Sequence, residues 1–190
     1  MNYPNKKSSY ETKKISSKNR GMTFEALIDE SNAFYLINNK AVIHKKPTPI
    51  QIVTVDYPTR KKAKIIEAYY RTPSTTDYNG VYKGHYIDFD VKETNHATSF
   101  PIKNIHKHQI DHLKQVHEHE GIAFILIYFK KQGTIHLFTY EKLYYFHQRA
   151  LNGRKSISYE ELLEHTYLVK EGYRPSIDYL KVVDLLINKK

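Results

Sequence analysis

The chain has 190 residues, enough for one compact domain with an ordinary core, and no apolar run of the roughly 18 residues needed to span a membrane. It has no cysteine, which excludes disulfides, thiolate nucleophiles and thiolate zinc sites and leaves oxygen and nitrogen as the only metal donors. A formal charge of +10 with seventeen tyrosines points to a polyanionic partner, the alternative being a basic surface that is merely solvated.

Residues 1–18 carry Lys6, Lys7, Lys13, Lys14 and Lys18 with almost nothing aliphatic to bury, and are expected to be a disordered basic arm. The start lacks the apolar segment of a secretory signal, so a soluble intracellular protein is expected. Met22, Phe24, Leu27, Ile28, Phe34, Leu36 and Ile37 fit an amphipathic helix from Gly21 to about Ile37, with Asn19 or Gly21 near its start. Glu25 in its first turn either complements the helix dipole or serves a metal as an accessory ligand.

From Ala41 to Val55 a β-branched run is interrupted at Pro47 and Pro49, which predicts an edge or a bent connection followed by a strand. Residues 40–71 hold eight Lys or Arg against Asp56 and Glu67, the most basic folded part of the chain. Within them, residues 56–62 read as a turn between strands over 50–56 and 63–70. The result is a hairpin with a cationic tip of Arg60, Lys61 and Lys62, unless those lysines only keep an edge soluble.

Ser74 to Thr94 is the most informative stretch. In Tyr86–Lys92 apolar and polar residues alternate, so a strand turns Ile87, Phe89 and Val91 to one face and Asp88, Asp90 and Lys92 to the other. Asp77 precedes Asn79-Gly80, a dipeptide that favours a tight reversal; with a second bend at Lys83-Gly84 this is expected to return Asp77 beside Asp90. Two neighbouring carboxylates repel unless a cation lies between them, and hard oxygen donors suit Mg²⁺, with Lys92 as a point charge for a phosphate. An Asp-x-Lys triplet on a strand also arises by chance.

A helix is predicted from about Ile102 to Glu120, with Ile105, Leu113 and Val116 on one face and Gln109 on the same stripe. That amide needs a polar partner, either in the core or across the sheet at the carboxylates. His106, His108, His112, His117 and His119 read as a solvated helix face, without zinc. Ile122–Phe129 is expected to be a strand buried on both faces, followed by a strand over 134–140 and a helix over 141–150. Residues 151–157 read as loop, Ser158 with Glu161 as a capping box opening a helix to about His165, and Pro175–Asn188 as the last helix.

The blocks Asn19–Glu25, Ile43–Val53, Pro73–Thr94 and Thr98–Asn104 closely resemble the RecU-type Holliday junction resolvases of low-GC Gram-positive bacteria and their phages, in the same order and with similar spacing. The resemblance implies a single nuclease domain over 19–190 with a restriction endonuclease-like α/β fold, a mixed sheet flanked by helices, and a projecting basic stalk at about 53–73. It implies that Thr75, Asp77, Asp90 and Gln109 hold Mg²⁺, for which Mn²⁺ substitutes, and that Lys92 stabilises the transition state. Lys45 and Tyr69 would help the hairpin around Arg60 engage DNA. A homodimer nicking four-way DNA symmetrically in recombination and repair is implied, cytoplasmic and nucleoid-associated, with a RecA-type recombinase as a further partner. Two rival readings are a non-catalytic junction-binding or recombinase-modulating protein of the same fold and a restriction-type nuclease acting on linear duplex. The family pattern usually has Glu at the position of Asp90, and the side chain here is one methylene shorter.

Overall fold

The structure, a computed structural model, describes residues 22–71 and 74–189. The expected basic arm, together with Asn19 and Gly21, lies outside them. Ten strands and five helices follow one another as α1 (Phe24–Ile37), β1 (Val42–Lys45), β2 (Ile50–Asp56), β3 (Lys64–Tyr70), β4 (Tyr78–Tyr82), β5 (His85–Thr94), β6 (Ser99–Pro101), α2 (Lys107–Glu118), β7 (Ile122–Phe129), β8 (Thr134–Thr139), α3 (Tyr140–Asn152), β9 (Ser156–Ser158), α4 (Tyr159–His165), β10 (Tyr167–Val169) and α5 (Leu180–Ile187).

The main sheet has six strands in the order β1-β4-β5-β7-β8-β10. Only β5 and β7 run parallel, joined by the α2 crossover; every other pairing is antiparallel. This is the mixed sheet flanked by helices that the sequence resemblance led one to expect. All eight residues of β7 are buried, and their side chains alternate between two cores. Phe124, Leu126 and Tyr128 join Ile87, Phe89 and Val91 of β5 beneath α1 and α5. Ala123, Ile125, Ile127 and Phe129 pack beneath α2 and α3. The pleat therefore sends Asp88, Asp90 and Lys92 toward the α2 side.

The hairpin is present: β2 and β3 pair antiparallel as a separate two-stranded sheet, and every residue of both strands is exposed. A 3-10 turn over Arg60–Lys62 forms its tip. β1 lies at the edge of the main sheet before Pro47 and Pro49, as the prolines require.

Four expectations are corrected. The reversal expected at Asn79-Gly80 is instead a run of strand, since both residues lie inside β4. Gly80 pairs with Ile43, and a Cβ there would stand 2.1 Å from the Val42 carbonyl oxygen, so glycine serves the close approach of β1. The chain reverses at Lys83 and Gly84 alone, with φ of 49° and 79°. Helix α2 starts at Lys107 and not near Ile102, because Ser99–Pro101 pairs with Ser156–Ser158 and the Ile102 N–H donates to the Lys155 carbonyl at 3.1 Å. That pairing also makes strand of 156 and 157, where loop was expected, with Ser158 ending the strand and capping the next helix as expected. The last helix begins at Leu180, because Ile177 bridges Glu171 and the Asp178 N–H donates to the Lys170 carbonyl at 3.2 Å.

Candidate active site

Asp90 and Lys92 stand two apart on the middle of β5, and the sheet supplies the partner. Tyr78 of β4 is paired with Phe89, so Asp77, one step before β4, comes opposite Asp90 across the ladder. Asp77, Asp90 and Lys92 are thus brought to one place. Asp90 is fully buried, its Oδ1 lying 2.8 Å from Lys92 Nζ. That ion pair is the match the chain offers Oδ1. Burial pushes the Asp90 carboxyl up to about 6; the Lys92 ammonium opposes the shift and the charge of Asp77 adds to it.

Gln109, in the first turn of α2, is buried and reaches across to this carboxylate. Its amide nitrogen donates to Asp90 Oδ2, while its oxygen accepts the His106 N–H at 3.1 Å. Both ends of the amide are therefore assigned by their partners, and Gln109 meets Asp90 as a donor. The buried amide of the sequence has found its partner at the carboxylates, across the sheet. Thr75 is half-buried in the segment before β4, its hydroxyl donating to the Thr76 carbonyl at 3.2 Å. His108 lies near enough to Lys92 and Asp77 to sense their charges, and its pKa is lowered chiefly by burial.

At the rim, Glu25 and Lys45 form an ion pair of 2.5 Å with both side chains nearly half exposed. That hydrogen bond is the main reason the Lys45 pKa is raised, and Asp77 contributes by its charge. Glu25 also stands in the first turn of α1, after the Thr23 cap, so it both complements the dipole and occupies the rim. Arg60, Lys61, Lys62 and Tyr69 lie on the exposed hairpin, where the Tyr69 hydroxyl donates to Glu67 at 2.6 Å.

A second group of residues, overlooked in the sequence, adjoins Asp90. Asp88 is fully buried on the same face of β5 and is surrounded by Lys46 Nζ at 2.8 Å, the Tyr86 hydroxyl at 2.8 Å, His112 Nε2 at 3.0 Å and the Thr76 hydroxyl. His112 is therefore not part of a solvated face, which corrects that expectation. Two signals were available. A buried strand acid must be matched by a cation or donors, and His112 follows Gln109 by three residues, which puts the two on one side of α2.

Among the described residues no group of three or more His, Cys, Asp or Glu is placed to hold a metal ion. The carboxylates on hand here for a divalent cation are those of Asp77 and Asp90, while the Gln109 oxygen, expected as a further ligand, is turned to the His106 N–H. Asp90 Oδ1, matched by the Lys92 ammonium and otherwise without a donor, fits the role of ligand.

Fold and site together define a class: a mixed-sheet α/β protein with a carboxylate and a lysine on a central strand and a second carboxylate opposite them, just before the neighbouring strand. The family model described as Recombination protein U matches residues 19–185. The chain belongs to this family. It is 52% identical to the Holliday junction resolvase RecU of Bacillus pumilus, over 98% of this chain and 95% of that one. It is 50% identical to the protein of the same name from Staphylococcus carnosus, over 98% and 96%. Among solved structures, Archaeoglobus fulgidus Hjc, a Holliday junction resolvase, matches with a TM-score of 0.39 and 9% identity over 74% of this chain and 88% of that one.

Proposed function

We propose that this protein is a structure-selective endonuclease that resolves four-way DNA junctions by paired symmetric nicks in recombination and repair. The observation that carries the reading is the meeting of Asp77, Asp90 and Lys92 on one face of the sheet, in a chain half identical to proteins named for that activity. Asp77 and Asp90 would hold a divalent cation, Mg²⁺ by the hardness of the donors and Mn²⁺ as its substitute. When bound, the ion would activate a water and neutralise charge on the scissile phosphate.

The chain's own residues then have separate tasks. Gln109 fixes the orientation of the Asp90 carboxylate through Oδ2, so that Oδ1 would be shared between Lys92 and the ion. Thr75 would lend its carbonyl. Lys92 sets a compact positive charge at the site, where it offsets negative charge developing on the phosphoryl oxygens. Lys45, Tyr69 and the Arg60–Lys62 tip engage DNA, with the hairpin entering the junction centre. A homodimer provides two such sites related by a two-fold axis, as paired nicks require. The setting is cytoplasmic and nucleoid-associated, with a RecA-type recombinase as a further partner.

Cleavage of a synthetic four-way junction tests the reading. Asp77→Asn is expected to lower the nicking rate by at least about a thousandfold at saturating Mg²⁺ and to leave the junction Kd within about twofold. Normal cutting by that variant refutes the site, a wild type that binds junctions and never nicks marks a non-catalytic binder, and equal cutting of linear duplex marks a restriction-type nuclease.

A further inference from the structure

The group around Asp88 has no assigned task in the chemistry just described, yet its centre touches the site from two sides. Lys46, the residue after β1, donates its backbone N–H to the Asp77 carbonyl at 2.7 Å. Its side chain runs inward to 19% exposure, where Nζ donates to the Thr76 hydroxyl at 3.0 Å and to Asp88 Oδ2 at 2.8 Å. The Thr76 hydroxyl in turn donates to Asp88 Oδ1. One residue thereby ties the segment carrying Thr75 and Asp77 to the strand carrying Asp90. His112, 3.0 Å from Asp88 and 3.4 Å from Lys46 Nζ, joins α2, which also carries Gln109, to the same point.

The need for such a tie is physical. Asp77 lies just outside β4, where the Lys46 N–H holds its backbone carbonyl, but its carboxylate makes no hydrogen bond or ion pair among the described residues. Asp77 and Asp90 are like charges, as the upward push of Asp77 on Asp90 records. Without a side-chain fastening, repulsion would push the Asp77 carboxylate and its segment away from the buried strand. A fully buried carboxylate at Asp88 is costly unless matched, and a matched pair of defined geometry specifies position better than an apolar contact does.

We infer that Lys46 is a positioning residue for junction cleavage: clamped on Asp88 and Thr76, it holds Asp77 opposite Asp90. This rests on the proposed activity. The clamp sets the spacing of the two carboxylates, so its loss reduces turnover and weakens the response to Mg²⁺ without removing a DNA contact.

Lys46→Met, Asp88→Asn and the double variant test the inference against wild type. Lys46→Met, which strands a buried carboxylate, should lower Tm by about 5–10 °C. It should slow single-turnover nicking at least about tenfold well below Tm, raise the Mg²⁺ concentration for half-maximal rate several-fold, and leave the junction Kd within about twofold. Without metal or DNA, amide exchange over residues 74–79 should quicken. The double variant has no unmatched charge, so it should regain most of the Tm while nicking stays slow and exchange stays fast. Its behaviour also decides between the alternatives if Lys46→Met does not fold. Nicking that recovers in step with Tm assigns Lys46 a merely structural role and overturns the inference. So does a Kd that rises as much as the rate falls, which would make Lys46 a DNA contact. A wild type that fails to nick refutes the proposed activity instead, and then unchanged exchange in the variants refutes the clamp separately.

Discussion

At the scale of single residues, Asp90 is held at a cost. Its carboxyl titrates near 6 in the fold against 3.8 when unperturbed, because burial outweighs the Lys92 ammonium beside it. The native state therefore binds more protons than the unfolded chain between those values, and stability falls as pH rises from about 4 to 6. Asp90→Asn in metal-free buffer is expected to raise stability at pH 8, on the order of 2–3 kcal/mol, with the gain vanishing near pH 4. Urea melts at the two pH values check this. The same substitution should abolish nicking, so stability and activity move in opposite directions, as expected where strain is kept for function.

At the scale of elements, the hairpin and β8 make separate predictions. Strands β2 and β3 expose every residue, Ile50, Ile52, Val55, Ile65 and Tyr69 included, so the hairpin gains nothing from the two cores and its sequence is available for contact. Arg60→Ala at the tip is expected to weaken four-way junction binding about tenfold or more while changing linear-duplex binding less than about twofold and leaving Tm unchanged. Equal loss on both substrates in a gel-shift titration would count against a junction-entering stalk. In β8, His136 is 1% exposed, flanked by Thr134 and Thr166 hydroxyls, and burial depresses its pKa to about 4 from 6.5. The unfolded state then binds the extra proton between those values, so stability is full above about 6.5 and declines as pH drops toward 4. That loss is on the order of 3 kcal/mol, and His136→Gln should flatten the acid limb of a Tm-versus-pH curve.

At the scale of the whole molecule, charge sets the behaviour toward DNA. With a formal charge of +10, junction affinity should fall steeply with salt. A plot of log K against log salt is expected to have a slope more negative than about −4, as counterions are released from several phosphates. A slope near zero would mean that the basic surface does not bind the junction. Sedimentation should give a two-subunit species at the concentration that nicks both strands of one junction.

Composition and local pattern alone determined much of this protein. The apolar alternation of β5 and the unbroken run of β7 predicted the two central strands, because a pleat sorts residues by parity and a doubly covered strand must be apolar throughout. The turn chemistry around Pro58 predicted the hairpin, and Ser158 with Glu161 capped α4 as read. Other features were settled only by residues far apart in sequence. Asn79-Gly80 carries the signal of a turn, yet Gly80 is needed where β1 approaches within the space of a Cβ. The ends of α2 and α5 were decided by backbone partners at residues 155–158 and 170–177, which no local propensity records. The clamp on Asp88 joins Lys46, Thr76, Tyr86 and His112 from four segments of the chain. Local sequence encodes which face a side chain takes, because that depends on its nearest neighbours. Which distant cation meets a buried acid depends on how strands and helix are stacked, and only the tertiary structure supplies that.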